Sequence, residues 1–95
     1  MSNQQPQRFD AYEIRRCGEF DEESGSFTEA IGDSASDPLP PSCKRIFWTL
    51  YGHVPEAGVE AICDRNGFDD IRVMYSRITG KSLPCGERDY TCLPA

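Results

Sequence analysis

Five cysteines, Cys17, Cys43, Cys63, Cys85 and Cys92, and the single histidine His53 are the residues of this chain with the most chemistry open to them. Thiolates and imidazole are the usual ligands of structural zinc, and such sites draw them in closely spaced pairs. No Cys-x-x-Cys pair occurs here, so the spacing argues against zinc, and no metal or cofactor is expected. An odd number of cysteines with no secretory signal also disfavours a disulfide framework. The exception left open is Cys85 with Cys92, in a Gly- and Pro-containing segment that could close a short loop. Cys63 reads as a small, partly buried thiol.

A nucleophile reading would pair Cys63 with His53 and use Asp64 as the orienting acid. The elements that would position them decide the matter. Ile46-Phe47-Trp48-Thr49-Leu50-Tyr51 is β-branched and aromatic, Val54 to Gly58 supplies turn chemistry, and Val59 to Cys63 alternates again, which predicts a β-hairpin. A four-residue loop, Pro55 to Gly58, sets Val54 opposite Val59, His53 opposite Glu60, Tyr51 opposite Ile62, Leu50 opposite Cys63 and Thr49 opposite Asp64. One face then carries Ile46, Trp48, Leu50, Val54, Val59, Ala61 and Cys63. The other carries Phe47, Thr49, Tyr51, His53, Glu60, Ile62 and Asp64. His53 and Cys63 fall on opposite faces, too far apart for a nucleophile and its base. No Gly-rich phosphate loop and no His-Glu-x-x-His motif is present, so a non-enzymatic protein is expected.

Phe68, Ile71, Met74, Tyr75 and Ile78 recur at helical spacing, with Asn66-Gly67 before them, Asp69 and Asp70 in the first turn, Arg77 near the end and Gly80 as a stop. This helix is expected to cross the first hairpin face and bury Trp48, Leu50, Val59, Phe68, Ile71, Tyr75 and Ile78. Phe9 to Cys17 reads as a further strand, with Tyr12 and Ile14 on one side and Glu13, Arg15 and Cys17 on the other. The expected class is α+β: a small antiparallel sheet of three strands, four if Phe27 to Ile31 joins it, with one amphipathic helix on one face. Residues 1–8 read as a disordered leader and 9–80 as a single domain containing an acidic loop over 18–42. Residues 81–95 read as an irregular tail strapping back through Leu83, Tyr90 and Leu93. No signal peptide or membrane-spanning run is legible, so the cytoplasm is the expected location.

The net charge of −6 over 95 residues is local. Glu19, Asp21, Glu22, Glu23, Glu29, Asp33 and Asp37 fall in one stretch without Lys or Arg, while residues 38–95 balance. That argues against direct nucleic-acid binding through phosphates and favours a basic partner. The second hairpin face, with Phe47, Tyr51 and Ile62 inside a rim of His53, Glu60 and Asp64, has the make-up of a protein interface. The competing reading is that the acidic arm or the tail folds over it.

Phe47-Trp48-Thr49-Leu50-Tyr51-Gly52, then Gly58 to Asp64, then the helix ending at Ile78-Thr79-Gly80 resembles small proteins of bacterial plasmids, phages and integrated elements. The resemblance implies a mobile-element setting. Small acidic proteins of that kind include anti-CRISPR and anti-restriction inhibitors, which occlude basic nucleic-acid-binding surfaces. On this reading Glu19, Asp21, Glu22 and Glu23 compete with phosphate for a Lys- and Arg-lined groove while Phe47, Tyr51, His53, Glu60, Ile62 and Asp64 complete the contact. The alternatives are a zinc- or thiol-stabilised structural module and an accessory domain that forms a homodimer through the Phe47 face.

Overall fold

The structure, a computed structural model, describes residues 9–32 and 42–95. The leader 1–8, and with it Asp33 and Asp37 of the acidic stretch, lie outside the described residues. The chain forms β1 (Ala11–Glu22), β2 (Gly25–Ala30), β3 (Cys43–Val54), β4 (Gly58–Arg65), α1 (Phe68–Thr79) and β5 (Tyr90–Pro94). Every pairing is antiparallel and the main sheet order is β2-β1-β3-β4. This is an α+β fold in which the sheet dominates.

β1 organises the sheet. β3 takes one of its edges from Tyr12 to Phe20, so β5 and β2 divide the other, β5 along Ala11 to Ile14 and β2 along Cys17 to Glu22. At the changeover the amide of Arg16 donates to Asp89 Oδ1 at 2.8 Å and its carbonyl accepts from the amide of Ile31 at 2.9 Å. The edge backbone thus stays paired where no strand runs beside it.

Apolar alternation in β1 and β3 sends Tyr12, Ile14, Trp48 and Leu50 to one side, where Phe68, Ile71 and Tyr75 of α1 meet them with Tyr90 and Leu93 of β5. Trp48 and Phe68 pack edge to face at 5.0 Å, and Tyr12 and Tyr75 at 5.9 Å. Each such side chain, fully buried, stabilises by roughly 1.5–3 kcal/mol. The Tyr75 hydroxyl donates to the Pro94 carbonyl at 2.6 Å, which ties β5 to the helix. Gly52 admits the Phe9 ring onto β3: a Cβ there would come within 2.3 Å of Phe9 Cδ1. The helix begins after Gly67, carries Asp69 and Asp70 in its first turn and Arg77 in its last, and ends at Gly80 in the left-handed region (φ 74°). The Gly80 amide donates to the Ser76 carbonyl, closing the last turn.

Four expectations are corrected. The sheet has five strands, because residues 18–22 continue β1 and 25–30 return beside it as β2, where a long loop was expected. Residues 81–95 include β5, an integral strand, where an irregular tail was expected. The β3–β4 loop is Pro55 to Ala57, with the Ala57 amide donating to the Val54 carbonyl, so near the turn His53 faces Val59 and Tyr51 faces Ala61. A bulge then absorbs one residue and restores the expected pairs Leu50 with Cys63 and Thr49 with Asp64. In consequence Ile62 joins Cys63 against the helix-side core, and Val59 is left 50 % exposed on the other face. Ile46, opposite Gly18 and beyond the helix, and Ile78, in the last turn of α1, are also exposed.

Candidate functional site

The second sheet face carries no helix, yet its centre is closed to solvent. Paired residues of neighbouring strands point the same way, so Glu13, Arg15, Cys17 and Glu19 of β1 stand beside Tyr51, Thr49, Phe47 and Arg45 of β3. Cys17, Thr49 and Phe47 are 2 %, 3 % and 4 % exposed. The Arg45 guanidinium lies over the Phe47 ring at 4.6 Å, and its Nε donates to Glu19 Oε1 at 2.8 Å. A small cavity of about 220 Å³ remains, walled by all four strands of the main path, from Thr28 and Glu29 on β2 to Ala61 and Asp64 on β4. That lining is what a sheet curled towards this side produces.

Polar groups on this face are connected. Thr49 Oγ1 donates to Asp64 Oδ1 at 2.7 Å, and the Tyr51 hydroxyl lies 3.8 Å from Cys17 Sγ. Burial, then the hydrogen bond with Cys17, pushes the Tyr51 phenol up to about 12, so it stays protonated at neutral pH. Glu13 sits between two basic partners: Arg15 Nε donates to its Oε1 at 2.9 Å and His53 Nε2 meets its Oε2 at 2.5 Å. Burial alone would raise the Glu13 carboxyl, but the hydrogen bonds from His53 and Arg15 outweigh it and hold the group below its ordinary value of 4.5.

The residues singled out from sequence separate into three places. Phe47, Tyr51, His53 and Asp64 do share the second face. Phe47, however, is buried beneath Arg45 and is no exposed anchor, while Ile62 lies on the far side of the sheet because of the bulge. Glu60 is exposed on β4 opposite Gly52. The acidic residues lie on the extension made by the end of β1 and by β2, where every residue from Asp21 to Ala30 is exposed. Phe20 and Phe27 stack at 5.3 Å across its base. Glu19 is tied to Arg45, and Asp21 accepts from Ser26 and lies 3.4 Å from Lys44 Nζ. Among the described residues no basic side chain pairs with Glu22, Glu23 or Glu29.

Glu13 is the buried charged group of this face that sequence reading passes over: alternation alone makes it an outward strand residue, and only the β1–β3 register brings it to His53. His53 itself is directed to Glu13, on the face opposite the core that Cys63 packs against. Burial raises the Cys63 thiol above its ordinary value. Among the described residues no group of three or more metal-ligating side chains converges, and no helix is long and apolar enough to cross a membrane. Comparison of the chain with protein-family models, with curated proteins and with solved structures gives no match.

Proposed function

We propose that this chain is a non-enzymatic, protein-binding inhibitor that presents the acidic extension of β1 and β2 to a basic surface of a nucleic-acid-binding partner. The supporting observation is that Glu22, Glu23 and Glu29 stand exposed on this extension, without basic partners among the described residues. Carboxylates held this way meet a Lys- and Arg-lined groove as phosphates would, and they speed encounter through long-range attraction. The resemblance of the Phe47 to Gly80 region to mobile-element proteins supplies the class, an anti-CRISPR or other anti-defence inhibitor. Within that reading Glu19 and Asp21 brace the extension against Arg45 and Lys44, and Glu22, Glu23 and Glu29 make the contact.

Capture of partners by the tagged chain from bacterial lysate, at low and at high salt, tests the reading. The chain is compared with a Glu22→Gln, Glu23→Gln, Glu29→Gln variant whose thermal unfolding is checked first. A stoichiometric basic protein, retained by the wild type at low salt and lost by the variant, is the expected result. Equal capture by both proteins at low salt would sink it. Recovery of the bait alone would shift the reading to the self-associating alternative, which mass in solution across a range of concentrations then decides.

A further inference from the structure

The cavity on the helix-free face has features that the acidic extension lacks: aromatic residues in its lining, the buried Thr49 hydroxyl and acids on opposite walls. Phe47 and Tyr51 form its aromatic part, Asp64 closes it from β4 and Glu29 from β2. Among the described residues Arg45 is the one basic side chain of the lining, and Glu19 neutralises it, so the net field inside favours a cation and disfavours an anion. Thr49 fixes Asp64 by donating to Oδ1, and an ionised carboxylate has further lone pairs to offer. At about 220 Å³ the space lies below the roughly 300–1,000 Å³ of pockets that take whole cofactors or drug-sized ligands, and suits a single side chain. Arg45 already covers Phe47 at a cation–π distance of 4.6 Å, so the Tyr51 ring is the aromatic surface left for an incoming cation.

We infer that this cavity is the receptor for one cationic side chain, a lysine ammonium or arginine guanidinium, of the protein partner. The inference rests on the protein-binding reading above and gives it an anchor: the extension steers by charge, and the cavity grips one residue. Asp64 and Glu29 supply the carboxylates, and the Tyr51 ring flanks the inserted stem. Because Glu29 belongs to β2, the cavity and the extension share a wall and engage the same partner surface.

The cavity can be tested without a partner. N-acetyl-lysine methylamide and N-acetyl-arginine methylamide are titrated into the isotope-labelled chain, with the norleucine analogue as the uncharged control, and backbone amide shifts are followed. Saturable, salt-sensitive shifts at Thr49, Tyr51 and Ala61 are expected from at least one cation and not from norleucine. In Asp64→Asn they should weaken at least fivefold. Glu22→Gln with Glu23→Gln should leave them in place, since those residues lie outside the cavity. Should Asp64→Asn disturb the fold, Ala61→Leu provides a second route, filling the cavity from an exposed strand position while keeping both acids. Equal response to norleucine, shifts confined to the extension, or no saturable response would overturn the inference. If the cavity fails while neutralising Glu22 and Glu23 alone still abolishes partner capture, the inhibitor reading survives without its anchor. If the cavity binds the cation while capture is unchanged by neutralising Glu22 and Glu23, which lie outside it, the receptor stands and the tip of the extension drops out of the contact.

Discussion

One strand, β1, meets two fates along its length. From Tyr12 to Cys17 it lies inside the sheet, with β3 on one edge, β5 and then β2 on the other, and α1 across one face. Tyr12, Ile14 and Cys17 are at most 2 % exposed there. From Asp21 onward it leaves that cover, and the residues of the return strand β2 are exposed throughout. The same backbone geometry is stabilised in the first half by burial on both faces. In the second half it is held by the ladder with β2, the Phe20–Phe27 stack and the ion pairs to β3. A hairpin without a packed face is marginal in isolation. The body therefore carries the stability that keeps this exposed hairpin formed.

The sharpest way to break this contrast is to truncate one apolar side chain in each half. Ile14→Ala empties a fully buried site and is expected to destabilise the chain by about 2–5 kcal/mol. Phe27→Ala removes a larger side chain that is 38 % exposed, and about 1 kcal/mol is expected, mostly from the lost ring stack. Chemical denaturation of the two variants checks this. Comparable losses would mean that the extension is part of the cooperative core.

Glu13 gives the second, smaller effect and ties stability to pH. Its folded-state pKa is depressed, so the carboxylate contributes stability above the ordinary value of 4.5, and that contribution is lost as pH falls below 4.5 through the folded value. Glu13→Gln keeps the shape but removes the charge that His53 and Arg15 face. The variant is expected to be less stable at pH 7 by about 1.5–3 kcal/mol, the range for hydrogen bonds to charged groups. It should also lose less stability than the wild type between pH 5 and acid unfolding. Melting temperatures over that window decide it, and parallel acid limbs in the two proteins would count against the role assigned to Glu13.

How much of this was legible follows from where periodicity carries information. Tyr12 and Ile14 against Glu13 and Arg15, the Trp48–Leu50 face, and the helix from Phe68 to its Gly80 cap were all readable, because each buries one side and exposes the other. β2 was not, since a strand exposed on both faces needs no alternation. The visible hint was the placing of Phe20 and Phe27 about the Glu23-Ser24 turn. β5 was hidden for another reason: Tyr90 and Leu93 both point inward across a register shift between Tyr12 and Ile14, which breaks the two-residue period. The interface proposed from Phe47, Tyr51 and Ile62 failed at Ile62, because the bulge near Leu50 ends the constant register on which the pairing rested. The contact of His53 with Glu13 is forty positions apart in the chain and depends on strand pairing that local pattern does not report.

The smallest expected change in stability separates display from support most directly. Glu22 and Glu23 sit at the tip of the extension without basic partners among the described residues, so replacing both by Gln should shift unfolding by no more than about 0.5 kcal/mol. Relief of repulsion between neighbouring carboxylates could even make the shift favourable. Glu19→Gln, by contrast, removes the charged partner of Arg45 and leaves that guanidinium its bond to Asn66 Oδ1 at 3.0 Å. It is expected to cost slightly more, within the roughly 0.2–1 kcal/mol of exposed ion pairs. If the tip residues serve binding, the pair that matters least to the fold matters most to partner association, and the order reverses between a denaturation curve and a low-salt association rate. Finding the same order in both measurements would return the acidic extension to the status of a solvated surface.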